Sequence, residues 1–255
     1  MTFWETIVVA FSMFSALPMP RIDWNERNMR YALCAFPLVG LVIGLACWGW
    51  TALCGWLRFP ALLRGAGLCL IPVALTGGIH LDGYADTCDA LASHAEPEKK
   101  QQILKDPHLG AFAAMRLCGY FVASFALWSS LRTDAPLPVA LGFCLSRALS
   151  ALAVALFPLA RNTGLAHTFA TAADRSRVQK AMIALAVLLC AVLCVCGLTG
   201  AAMAAAALAV FFYYRRMARV QFGGLSGDLA GWFLQIAELA MLAALCLIQY
   251  LEVVA

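Results

Sequence analysis

Charge is scarce in this sequence. Asp, Glu, Lys and Arg make up 13% of the 255 residues against 63% hydrophobic residues, and only four histidines are present. A soluble domain of this length carries about 25% charged residues, so the composition excludes one and leaves an integral membrane protein. Metal-binding cysteine patterns are missing as well. Ten of the eleven cysteines lie in apolar runs, where they act as small hydrophobes. Cys194 and Cys196 lack the two-residue gap and the companion histidines of a zinc site. The odd total gives no disulfide framework, and Cys88, alone in polar sequence, is expected at a buried helix position. No basic segment precedes the apolar residues 2 to 17, which carry Glu5 and end at Pro18 and Pro20. That pattern speaks against a cleaved signal peptide and for an interfacial or re-entrant helix. There is no internal repeat, and a net charge of +4 calls for no nucleic-acid partner.

Apolar runs are plentiful. Stretches near the roughly 20 residues needed to cross a bilayer fall at 31–57, 61–79, 111–131, 136–160, 181–198, 199–214 and 228–251. The expected fold class is all-α: a polytopic membrane bundle of about seven transmembrane helices plus an N-terminal interfacial helix. It forms a single membrane domain over 1–255, with an acidic loop at 80–110 and the site carried by the loops. Only Gly197 and Gly200 punctuate the fifth and sixth spans. With seven spans, one side collects Arg21, Arg27, Arg30, Lys99, Lys100, Lys105, Arg161, Arg175, Arg177, Lys180, Arg215, Arg216 and Arg219; the other has Arg58, Arg64 and Arg132. Thirteen against three is a strong positive-inside bias, which assigns the acidic loop and the other long loops to the cytoplasm.

The longest polar stretch, Thr76 to Gly110, holds six of the fourteen acidic residues. On a helix Asp82, Asp86 and Asp89 are at i, i+4 and i+7 and fall within roughly 60° on one face. Two carboxylates about 6 Å apart repel by about 3 kcal/mol at an effective dielectric near 20, so three together either bind protons or hold a cation. Oxygen-only ligands favour a hard ion such as Mg²⁺, which keeps waters and bridges to substrate phosphate. A solvated acidic face without a site is the competing reading; the Gly77–Gly78 break and His80 just ahead of Asp82 argue against it. A Glu-Pro-Glu-Lys-Lys run follows and predicts a surface helix with solvated charges, Pro97 sitting in its first turn. Lys105 to Gly110 then turns the chain back into the membrane.

Two arginines lie inside apolar spans, where a charge needs a partner or a wet cavity. Arg147 is expected to meet an anion or a carboxylate; Arg116, nearer its span's end, is open to snorkelling. Glu238, some ten residues into the last span, needs a proton or a partner. A surface helix is expected from near Asp174. Gly223, Gly224 and Gly227 permit an anion-binding turn, with Asp228 opening the final helix; a plain hinge with an Asp cap explains the same residues.

The chain resembles the cobalamin synthases, also called adenosylcobinamide-GDP ribazoletransferases. The resemblance rests on GGIHLDGYADTCDAL at Gly77 to Leu91, with KDPHLGAFA at Lys105 to Ala113, GGLSGDLAG at Gly223 to Gly231 and FSMFSALPMP at Phe11 to Pro20. His108 departs from it, standing where that family more often has an arginine. The resemblance implies a Mg²⁺-dependent transfer at a bacterial inner membrane, its active site on the cytoplasmic side. A hydroxyl of α-ribazole or its 5′-phosphate attacks the phosphate on cobinamide in adenosylcobinamide-GDP, and GMP leaves. Asp82, Asp86, Asp89 and Asp228 are then the metal-binding candidates, and Asp82 and His80 the catalytic ones. Lys105, His108, Arg116, Arg147, Gly223 and Gly224 are the substrate-binding candidates. Phosphoryl-type transfer relies on positioning and charge neutralisation, which carboxylates and arginines supply. The partners expected are these two substrates and the lipid bilayer, with an oligomer possible. Two alternatives remain. A CDP-alcohol phosphotransferase also clusters aspartates, but here Gly83 follows the first Asp and no Ala-Arg pair follows Asp86. A cation-coupled transporter expects a repeat and mid-bilayer acids, and the first four spans have no acidic residue at their centres.

Overall fold

The computed structural model of the chain describes residues 3–132, 134–160 and 163–254; Arg161 lies outside them. Among the described residues there are twelve helices. In chain order they are α1 (Phe3–Phe14), α2 (Glu26–Met29), α3 (Ala32–Trp56), α4 (Ala61–Thr76), α5 (Ile79–Ala92) and α6 (Pro97–Ile103). They continue as α7 (Ala111–Ser130), α8 (Pro136–Leu156), α9 (Leu165–Ala172), α10 (Arg175–Val195), α11 (Leu198–Phe222) and α12 (Gly227–Val254). Six, namely α3, α7, α8, α10, α11 and α12, are long and apolar enough to cross a membrane. A seventh candidate is the pair of α4 and α5, which passes only as a unit and is bent by 95° at the break between them.

Glycine contacts fix the directions of the spans. Gly40 meets the Phe143 carbonyl and Gly44 meets Ala140, with no room for a Cβ at either, so α3 and α8 pack closely and antiparallel. Gly65 lies against Ser129, and Cys69 Sγ lies 4.0 Å from the Phe121 carbonyl oxygen, so α4 and α7 are antiparallel too. Each span reverses the one before it. The connections at 77–110, 157–174 and 223–226 therefore gather at one end, called here the loop end. At the other end Arg64 joins Asp134 (2.8 Å) and the Leu131 carbonyl oxygen (3.3 Å). Many large apolar side chains face outward, among them Phe125, Val187, Val195 and Phe212, as expected of helices solvated by lipid tails rather than water.

Several expectations need correcting. The helix expected from Asp174 is the start of α10 itself, because nothing breaks the helix between Arg175 and the apolar run; Asp174 caps it, accepting from Arg177 N at 3.2 Å. The surface helix of that loop is α9. The short N-terminal helix forms as expected, with Phe3 and Trp4 exposed, and its other face buries Val8, Val9 and Ala10 completely against the bundle. Lys100 is not solvated: it is buried and bonds the Gln221 side chain, while Gln101 Nε2 donates to the Phe222 carbonyl at 2.7 Å. Together they clamp α6 to the end of α11, which runs on to Phe222 instead of stopping near 214. The weakly punctuated fifth and sixth spans are separate helices, divided at Gly197, whose φ of 92° suits glycine.

Candidate active site

Gly77 and Gly78 both take left-handed conformations, with φ of 64° and 78°. Without a Cβ to clash, they let the chain leave α4 and turn into α5. The helix thus runs across the loop end instead of extending the span. It crosses the first turns of α12 almost backbone to backbone. A Cβ on Gly83 would stand 2.8 Å from the Asp228 backbone, and one on Gly231 would stand 2.7 Å from the His80 carbonyl oxygen. This crossing sets Asp82 and Asp86 beside Asp228. Asp82 is exposed and Asp86 half-buried. Burial raises the Asp86 pKa to about 6, with the charges of Asp82, Asp228 and Asp89 adding to the shift.

Asp228 opens α12 without capping it. The cap is Ser226, whose Oγ accepts from Leu229 N at 3.3 Å and donates to Asp228 Oδ2 at 3.4 Å. Asp89 faces another task. Its two oxygens accept from Gly110 N (2.7 Å) and Ala113 N (2.8 Å), closing the N-terminus of α7, and a Cβ on Gly110 would collide with that carboxylate. Among the described residues no three His, Cys, Asp or Glu side chains group tightly enough to ligate one ion by themselves. The donor set is nonetheless all carboxylate and partly open to solvent. That suits Mg²⁺, which needs only one or two protein carboxylates when waters and substrate phosphates complete its shell.

Beside the carboxylates lies a cavity of about 420 Å³, bounded by α1, α3, α5, α8, α9 and α12. Asp82, Asp228, Lys105 and His167 line it, and Phe14, Phe36 and Phe169 form an aromatic wall. Their rings are in contact, with centroids 4.2 Å apart for Phe14–Phe36 and 5.4 Å for Phe14–Phe169. His80 also lines the cavity, 6% exposed, with no hydrogen-bond partner at Nε2. Burial, with Arg147 nearby, lowers its pKa to about 3, so the ring is neutral at physiological pH.

The remaining candidates are scattered. Exposed His108 is paired with Asp106 (Nδ1 to Oδ1, 2.7 Å), a bond that holds the Asp106 carboxyl below its usual range; it does not line the cavity. Arg116 is exposed, on the Tyr84 side of α5, where its carbonyl oxygen accepts the Tyr84 hydroxyl at 3.4 Å; that side is turned roughly 160° from Asp82. Arg147 is 1% exposed and forms an ion pair with Glu238, supported by Ser146 Oγ at 2.9 Å and the Phe143 carbonyl oxygen at 3.3 Å. The structure thus gives Arg147 the carboxylate and closes it off from phosphate. Gly223 ends α11 with φ 71°. The N–H groups of Gly224 and Leu225 already bond the Ala218 (3.0 Å) and Pro158 (2.8 Å) carbonyls, which straps this loop to 158–160 instead of leaving an open anion nest.

Sequence reasoning missed the roles of Gly83 and Gly231. A signal existed: a glycine inside a helix costs about 1 kcal/mol relative to alanine, so its presence asks for a close neighbour. It missed the aromatic wall as well, because Phe14, Phe36 and Phe169 come from three separate helices.

Comparison with known proteins gives the family. No solved structure matches the chain. A protein from Lachnoclostridium phytofermentans named adenosylcobinamide-GDP ribazoletransferase is 40% identical over 236 residues, covering 92% of this chain and 90% of its own. Proteins of the same name from Geobacillus kaustophilus (34% identical, 92% of each chain) and Pseudomonas savastanoi (31%, covering 96% of this chain and 99% of its own) align as fully. Residues 6–246, which include both sides of the α5–α12 crossing and every candidate side chain named above, match the family described as cobalamin-5-phosphate synthase, and the chain belongs to that family.

Proposed function

We propose that the protein joins adenosylcobinamide-GDP to α-ribazole, or to its 5′-phosphate, at the carboxylate face of α5, with Mg²⁺ as cofactor and GMP as leaving group. The observation that carries this reading is the α5–α12 crossing, by which Asp82 and Asp228 line one cavity with Asp86 close enough to feel both charges. The names of the relatives support the substrates.

In the reaction the acceptor hydroxyl oxygen forms a bond to the phosphorus on cobinamide. The bond from that phosphorus to the bridging oxygen breaks, and the bridging oxygen departs with GMP. Carboxylates from among Asp82, Asp86 and Asp228, completed by waters and substrate phosphate oxygens, would hold Mg²⁺, which when bound neutralises the diphosphate charge. Asp89 keeps its main-chain bonds and fixes α7 against α5. Lys105, exposed on the cavity rim, offers a point charge to a phosphate oxygen. The hydroxyl proton passes to a carboxylate of this face or to the neutral His80, both of which border the cavity. The site would lie on the cytoplasmic side of a bacterial inner membrane. This is supported by Lys99, Lys105, Lys180, Arg215, Arg216 and Arg219 at the loop end against Arg58, Arg64 and Arg132 at the other.

The test supplies purified protein in detergent with adenosylcobinamide-GDP, α-ribazole and Mg²⁺ and measures GMP. Wild type is expected to release GMP, chelation to stop it, and Asp82→Ala to abolish it while keeping the wild-type melting temperature. Full turnover by that variant would remove Asp82 from the metal site.

A further inference from the structure

The cavity beside the carboxylates has a composition that distinguishes between the two substrates, an argument that rests on the transfer proposed above. At about 420 Å³ it lies in the lower part of the range that encloses small organic ligands. A corrinoid with its side chains and attached nucleotide is far larger. The buried part of its lining is mainly apolar, with Leu33, Phe36, Val154 and Phe169 beside half-buried Phe14, and its buried polar side chains are Ser150 and His80. Of the buried side-chain nitrogen and oxygen atoms without a hydrogen-bond partner, His80 Nε2 alone belongs to a residue lining this cavity, among the described residues. A buried polar atom left unpaired is costly, so a cavity built this way is completed by a ligand that reaches it. Guanine would bring a crowded polar edge against an apolar wall and leave most of it unpaired. A nucleoside with a flat, largely apolar heteroaromatic base suits the wall, since aromatic faces pack on Phe rings.

We propose that this cavity is the acceptor subsite: the base of α-ribazole packs against Phe14, Phe36 and Phe169, one of its polar atoms bonds His80 Nε2, and the ribose points its hydroxyl toward Asp82 and Asp228. Adenosylcobinamide-GDP then lies outside the cavity, its diphosphate over the carboxylate face. In this arrangement His80 touches substrate as a binding residue, which leaves the hydroxyl proton to a carboxylate, and Phe169 brings α9 into the site as one wall.

The experiment measures equilibrium binding of α-ribazole alone, and separately of adenosylcobinamide-GDP, to the full-length protein in nanodiscs by calorimetry. Phe169→Ala and His80→Ala are each expected to weaken α-ribazole binding about ten-fold or more, the equivalent of one lost contact of this kind. His80→Asn, which keeps a hydrogen-bonding group, is expected to recover part of the loss. The affinity for adenosylcobinamide-GDP should stay within about two-fold. Leu165→Trp adds a bulky ring at an exposed rim position, so it tests the same cavity even where a core change upsets folding; it is expected to block α-ribazole. Unchanged α-ribazole binding in His80→Ala and Leu165→Trp, or loss of adenosylcobinamide-GDP binding in its place, would overturn the assignment. The transferase reading fails separately: it falls if wild-type protein releases no GMP, whichever ligand the cavity holds.

Discussion

At residue scale, Asp82, Asp86 and Asp89 share a helix face but not a set of partners. The spacing of four and seven residues was legible in the sequence because it depends only on helix geometry. Which carboxylates remain free for a cation was not, because the partners of Asp89 are main-chain N–H groups 21 and 24 residues away. Asp89→Ala is therefore expected to lower stability by about 1 kcal/mol, the usual cost of losing an N-terminal cap, measured by thermal unfolding in detergent. Asp82→Asn and Asp86→Asn should instead leave the melting point unchanged or raise it, since each removes like-charge repulsion. Mg²⁺ affinity should follow the opposite order, falling further in those two than in Asp89→Asn. Equal losses in all three would make Asp89 a ligand after all. Arg147 and Glu238 looked in sequence like two separate buried charges in need of partners, and they turn out to be each other's. Removing one member strands the other in the bundle, so Glu238→Ala is expected to cost about 3–5 kcal/mol, and pairing it with Arg147→Met to recover most of that loss. The same thermal scan checks it: additive losses in the double variant would show that the two side chains act independently.

At the scale of elements, most helices were legible, since the apolar runs mark the spans and the adjacent glycines at 77 and 78 mark the break. The angle of α5 and its closeness to α12 were not, because they depend on Gly83 and Gly231 meeting across 148 positions of sequence. That crossing is what sets the carboxylates of an acidic helix beside Asp228. Gly231→Ala would drive a methyl group into the His80 carbonyl, which is rigid main chain with little freedom to move aside. The expected result is loss of GMP release by at least about a hundred-fold, with the spans intact by circular dichroism. Gly119→Ala serves as the control, because nothing stands within 4 Å of a Cβ there, and it should keep full activity. If Gly231→Ala kept full activity, the tight crossing would be irrelevant to the chemistry.

At the scale of the whole molecule, alternation of the spans does what no single residue does: it brings α5, α6, α9 and the turn before α12 to one end, although they are spread from residue 77 to residue 228. The same alternation makes sidedness a property of the entire fold. If one long connection faces the cytoplasm, all three do, and Arg58, Arg64 and Arg132 face the other way. Protease sites inserted after His94, in the exposed turn between α5 and α6, and beside Asp134, between α7 and α8, separate the two ends. In inverted inner-membrane vesicles the first site is expected to be cut and the second protected, and in spheroplasts the reverse. GMP release by intact inverted vesicles given adenosylcobinamide-GDP and α-ribazole should accompany cleavage at the first site, because both report the same end of the bundle. Cutting beside Asp134 in the inverted vesicles would reverse the bundle in the membrane. The carboxylate face would then point away from the cytoplasm, and the proposed cytoplasmic placement of the reaction would fall.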